Sequence, residues 1–118
     1  MISVELPIRT KSESNQREHW ASKAKRVKFH RWLAYSAVHP YVPSTLPRDF
    51  EVSCRFVRIG KRKLDSDNLQ SALKAVRDGV AQAFGLDDGD GRWHWEYDQE
   101  TANAYAVKIY LQIDTKGC

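Results

Sequence analysis

The sequence predicts an α+β fold: a small mixed sheet of about four strands with two packed helices, in the order β-α-β-α-β-β. Three observations predict it. Apolar residues alternate with polar ones at Ile2, Val4, Leu6 and Ile8, and again at Phe50, Val52, Cys54, Phe56 and Arg58. Two longer stretches, near residues 16–38 and 66–84, carry apolar residues at helical spacing instead. No repeat, low-complexity run or linker divides the 118 residues, so residues 1–118 are expected to form one domain.

The elements follow in order. Residues 2–8 form a strand. The polar stretch Lys11 to Asn15 offers Ser12, Ser14 and Asn15 as helix caps. The first helix has a stripe of Trp20, Ala24, Val27, Ala34 and Val38, interrupted by Arg31, which places Trp20 in the core. His39-Pro40 ends it, because the residue before proline resists the helical region. Residues 41–49 contain Pro43 and Pro47 and form a loop. A second strand covers residues 50–59. One continuous second helix covers residues 66–84, with Leu69, Leu73, Val76, Val80 and Phe84 inward and Gly85 as its C-terminal cap. An acidic turn, residues 86–92, leads to strands near residues 93–98 and 104–113, joined by a turn around residues 100–103.

Composition narrows the function. The chain is 42% apolar and 29% charged, as expected of a globular protein, and no apolar run approaches the roughly 18 residues of a membrane span. Its N-terminus lacks a signal-peptide core. The two cysteines, Cys54 and Cys118, form neither a disulfide framework nor a zinc-ligand pattern. A cytoplasmic location is the expectation. The net charge of +4 is unevenly spread: residues 1–63 carry 14 Lys/Arg against 5 Asp/Glu, and residues 64–118 carry 5 against 10. A basic half suits a polyanion, and an acidic half suits cations held beside it.

The acidic residues cluster around the second helix. Asp65 and Asp67 stand two apart at its start, where a helix N-terminus favours negative charge. A cap needs only one of them. Asp87 and Asp88 follow its end. If the turn folds back, the carboxylates meet, and their repulsion calls for a cation between them. Oxygen ligands suit Mg²⁺ or Mn²⁺. Such a site serves phosphodiester hydrolysis by neutralising transition-state charge and activating water. Lys74 lies two turns beyond Asp67 on the same face and is the candidate for further positive charge. The competing expectation is a solvated face on which Lys74 simply pairs with Asp78. Asp88-Gly89-Asp90-Gly91 does not make an EF-hand loop, because its first and twelfth positions are Leu86 and Tyr97.

Asp65-Ser66-Asp67-Asn68-Leu69-Gln70, a helix, and then Gly85-Leu86-Asp87-Asp88 together resemble the RusA-type Holliday-junction resolvases, a family often carried by prophages. A fainter echo lies in Ser14-Asn15-Gln16-Arg17. The resemblance implies a Mg²⁺-dependent homodimer that nicks four-way DNA junctions symmetrically. It implies that Asp65, Asp67 and Asp88 are the essential metal-binding carboxylates, with Asp87 beside them. The family's helical lysine falls one turn after the second aspartate, where this chain has Ser71. Lys74, two turns after, takes the role here. A symmetric dimer would set one acidic site against each of two opposed strands.

The basic half would track phosphates. Lys61, Arg62 and Lys63, next to Asp65, are the foremost candidates; Lys23, Lys25, Arg26, Lys28 and Arg31 follow, with Asn15, Arg17, His19 and, as the alternative to its place in the core, Trp20. His94 is expected to be a surface or structural residue. Two rival readings stand beside this one: a non-catalytic DNA-binding phage accessory protein, and a metal nuclease with broader branched-DNA preference.

Overall fold

The structure is a computed structural model that describes residues 1–10 and 20–115. The alternating segments become strands: β1 (Ile2–Leu6), β2 (Phe50–Gly60), β3 (Trp93–Thr101) and β4 (Ala106–Thr115). They form one mixed sheet in the order β1-β4-β2-β3. β2 is central, running antiparallel to β4 and parallel to β3, while β1 pairs antiparallel with β4. The fold is therefore α+β, as expected, with one difference in connection. β3 and β4 are consecutive in sequence, but β2 lies between them.

The period-two pattern fixes which face is buried. Val52, Cys54 and Phe56 of β2 and Val107, Ile109 and Leu111 of β4 are buried on this face, with Cys54 opposite Leu111 and Phe56 opposite Ile109. Helices cover this face. The opposite face carries polar pairs, such as Arg55 to Asp98 at 2.6 Å and His94 to Glu51 at 3.5 Å. His94 is exposed, as expected. Burial pushes the Cys54 thiol pKa well up, which keeps it an inert apolar side chain.

Three helices form where two were expected. α1 spans Trp20–Val38; the expected start of the helix near residue 16, and the caps before it, lie outside the described residues. A 3-10 turn, His39–Tyr41, follows it at the proline. The second expected helix is divided into α2 (Ser66–Ala72) and α3 (Lys74–Phe84). The break is at Leu73, whose ψ of 3° leaves the helical region and whose N–H is shared between the carbonyls of Leu69 and Gln70, each at 3.2 Å. Leu69, Leu73, Val76, Val80 and Phe84 are nonetheless all buried, so the apolar stripe survives the bend. Gly85 ends α3 at φ 68°, and Leu86 N–H returns to Ala81 O at 3.1 Å. This left-handed position favours glycine.

The expected core stripe of α1 is only half right. Ala34 and Val38 are buried, joined by His30, and Val27 is half-buried. Trp20 is 76% exposed and Ala24 is exposed. The buried face thus passes through Val27, His30, Ala34 and Val38, at helical spacing, and leaves Trp20 outside the core.

α1 crosses α3 closely at Gly79. A Cβ there would lie 2.3 Å from Arg31 O and 2.8 Å from the Ala34 Cβ. The first of these atoms is backbone and has little freedom to yield. Gly79→Ala is expected to cost about 1–3 kcal/mol through overpacking, measured by urea unfolding. Gly91→Ala, where an added Cβ meets nothing within 4 Å, should cost far less.

Candidate functional site

The acidic residues stand at the two ends of the α2–α3 crossover, and β3 holds both ends. Its inward side chains are Trp93, Trp95, Tyr97 and Gln99. Gln99 clamps the backbone of Leu64: Leu64 N–H donates to Gln99 Oε1 at 2.9 Å, and Gln99 Nε2 donates to Leu64 O at 2.7 Å. The next residue is Asp65. At the other end, the indole N–H groups of Trp93 and Trp95 donate to the carbonyls of Asp87 and Asp88 at 3.1 and 3.0 Å. Trp93 and Trp95 stack on each other with centroids 4.3 Å apart, which fixes the spacing of these two donors.

Asp65 is the N-cap of α2. Its backbone is extended, and its carboxylate accepts from Asn68 N–H at 2.9 Å. Asp67 sits in the first turn and is exposed, so the cap accounts for only one of the pair. Asp87 is also exposed. Asp88 is half-buried and faces cations. Lys74 Nζ lies 2.8 Å from its Oδ2, and Arg77 Nε lies 3.1 Å from the same oxygen, close but not aligned as a hydrogen bond. Arg77 is itself held by donating to Tyr97 Oη at 2.8 Å and to Asp88 O at 3.2 Å, and it lies over the Trp95 ring. A cleft of about 400 Å³ opens beside this group, lined by Gln70, Ser71, Lys74, Arg77 and Tyr97.

Lys74 also donates to Asp78 at 2.8 Å, so the pairing expected of a solvated helix face is present. The contact to Asp88, fourteen residues away, goes beyond it. Burial draws the Lys74 pKa down, but hydrogen bonds to Asp78 and Asp88 outweigh it and raise it overall. The Asp88 carboxyl is held below its ordinary value. Hydrogen bonding from Lys74 is the largest cause, partial burial opposes it, and the charges of Lys74 and Arg77 add to it.

The expectation that Asp65, Asp67 and Asp88 converge on one cation is not met in this arrangement. Among the described residues, no three His, Cys, Asp or Glu side chains form a set able to hold a metal ion. In the same arrangement Asp65 caps Asn68, and Asp88 pairs with Lys74 and Arg77. The donor chemistry still suits a hard cation, since Asp65, Asp67, Asp87 and Asp88 offer carboxylate oxygens only.

Lys61, Arg62 and Lys63 are exposed in the loop between β2 and α2. That loop is anchored from below by Arg58, a side chain only 5% exposed, which donates to Arg62 O at 2.8 Å and to Thr10 Oγ1 at 2.9 Å. Lys23 and Arg26 are half-buried, whereas Lys25, Lys28 and Arg31 are exposed. Asn15, Arg17 and His19 lie outside the described residues. Sequence reasoning missed Arg77, Tyr97, Gln99, Trp93 and Trp95 as site residues. The available signal was period two: four consecutive inward positions of one strand all end in a hydrogen-bonding atom.

The pairing of Asp88 gives a pH dependence. Its pKa is depressed on folding, so its stabilising contribution is complete above the ordinary carboxylate range and is lost as pH falls through the depressed value. Asp88→Asn is expected to be less stable than the wild type near pH 7 by at most about 1 kcal/mol, because Lys74 is well exposed. The difference should shrink as pH falls below the ordinary carboxylate range and through the depressed Asp88 value. Urea unfolding of both proteins across this range checks it, and a difference independent of pH would contradict it.

In comparisons with known proteins, no protein-family model and no curated protein matches the chain.

Proposed function

We propose that this chain is a Mg²⁺-dependent, structure-specific DNA endonuclease that resolves Holliday junctions by paired symmetric nicks, acting as a homodimer. Mn²⁺ would substitute for Mg²⁺. The observation that carries the reading is the 2.8 Å contact between Lys74 and Asp88. The resembled signature has a helical lysine and, later in sequence, an Asp-Asp pair, and here Lys74 and Asp88 are also neighbours in space. Lys74, two turns after Asp67, has the reach that Ser71 lacks.

Asp65, Asp67, Asp87 and Asp88 would hold the cation, which when bound lowers the charge on the scissile phosphate and makes a bound water acidic enough to attack. Each remaining role belongs to a residue of the chain. Gln99 and the two tryptophans fix the backbone that carries the carboxylates. Arg77 and Lys74 supply positive charge where the departing oxygen becomes negative. Lys61, Arg62 and Lys63 would bind phosphates flanking the cut. A four-way junction has approximate two-fold symmetry, which a symmetric dimer would match.

A second reading is favoured by a specific observation. Asp88 is already neutralised by two cations, and no three-carboxylate set forms among the described residues. A non-catalytic DNA-binding protein on the same fold would look like this.

Single-turnover cleavage of a synthetic four-way junction, beside three-way, flap and linear DNA, separates the readings. The endonuclease cuts the four-way junction with Mg²⁺ and not with EDTA. Asp67→Asn and Asp88→Asn should each slow cutting by about 100-fold or more while junction binding holds or strengthens, because carboxylate–phosphate repulsion falls. Lys74→Ala should slow the rate far more than it weakens binding, and Ser71→Ala should do little. Equal cutting of all branched substrates indicates the broader nuclease. Binding without cutting under any divalent cation indicates the non-catalytic protein.

A further inference from the structure

The outer face of α1 carries an aromatic pair that packing does not explain. Phe29 is 53% exposed and Trp32 is 58% exposed. On a helix both lie nearly opposite Ala34, a fully buried residue of the same element. Their rings are close to parallel, at 21°, with centroids 6.4 Å apart, so they present flat apolar surfaces to solvent. Lys25 and Lys28 flank them on that face at helical spacing. Between Trp20 and Val38 there are five Lys/Arg and no Asp/Glu. A groove of about 140 Å³ adjoins Trp32, lined also by Lys28, Arg31, Tyr35 and Gln82.

We propose that this face is a binding site for single-stranded DNA, in which unpaired bases stack on Phe29 and Trp32 while Lys25, Lys28 and Arg31 hold the flanking phosphates. The occupant follows from the chemistry. The helix segment has charge of one sign only, which selects a polyanion. Two planar rings set among lysines match a strand whose bases are exposed, since every base has a π face. A duplex keeps its bases stacked inside and would use the lysines alone. The site extends the DNA-cleaving reading, because branched DNA exposes bases where its arms meet, but it lies on a different element from the acidic residues.

The test is fluorescence anisotropy of a labelled oligothymidylate of about 15 nucleotides and of a blunt duplex of equal length, both in EDTA. Trp32→Ala is expected to weaken single-strand binding by about 5- to 150-fold and duplex binding much less, with Phe29→Ala acting in the same direction. Trp32→Phe should restore most of the affinity. Lys25→Ala with Lys28→Ala should flatten the salt dependence by roughly 1.4 in the log–log slope. Circular dichroism establishes that each variant is folded. Unchanged single-strand affinity in folded Trp32→Ala overturns the proposal, as does an equal loss on duplex. So does a Trp32→Ala effect confined to the oligomeric state or to anionic vesicles, which would assign the face to a second copy or to a lipid surface. Because the assay holds no divalent cation, its outcome is independent of cleavage. Junction cutting that survives Asp67→Asn would remove the nuclease site and leave this one standing.

Discussion

Everything about the acidic site depends on the parallel pairing of β2 with β3. Parallel neighbours cannot be joined by a hairpin, so the chain between them must cross over the sheet, and here the crossover is α2 and α3. The same pairing sets which side chains of β3 look toward that crossover. Val52 is opposite Trp93, Cys54 opposite Trp95, Phe56 opposite Tyr97 and Arg58 opposite Gln99. A slip of one residue would turn His94, Glu96 and Asp98 inward and remove the β3 side-chain hydrogen bonds to Leu64, Asp87 and Asp88. Sheet register and site geometry are therefore a single constraint.

Charge balance is the second organising feature. Carboxylates gathered at one place repel unless cations answer them. In this arrangement the answer to Asp88 comes from Lys74 and Arg77, and Asp65 is answered by the N–H of Asn68. Buried Arg58 plays a different part. It has a hydroxyl and a carbonyl as partners, and it ties the basic loop to the end of β1's following segment at Thr10. The loop carrying Lys61 to Lys63 thus has a rigid base while its side chains remain exposed.

Much of this was legible in the sequence, and the exceptions have physical reasons. Alternation gave the strands because each has one buried face. Proline at position 40 and glycine at position 85 marked helix ends because each residue permits or forbids a particular backbone state. The break at Leu73 left no mark, since no glycine or proline is needed for a residue to reach a ψ near zero. Trp20 was misplaced because an aromatic at helical spacing counts as core in any periodicity argument, and on α1 the aromatics lie on both faces. The position of β4 between β1 and β2 was not legible, because strand order follows from long-range pairing. Asp65, Asp67, Asp87, Asp88 and Lys74 were named from the motif. Their supporting shell on β3 needed the register, which only the folded chain supplies.

The proposed function requires that the two acidic segments, anchored at different points along β3 and forming no three-residue metal-holding set among the described residues, take up one cation together when it binds. Water proton relaxation during a Mn²⁺ titration of the wild type, Asp65→Asn, Asp88→Asn and the double variant tests this without DNA. A shared site predicts one Mn²⁺ per chain for the wild type, with either single substitution weakening binding nearly as much as both together. Additive losses, or binding indifferent to either substitution, would contradict it.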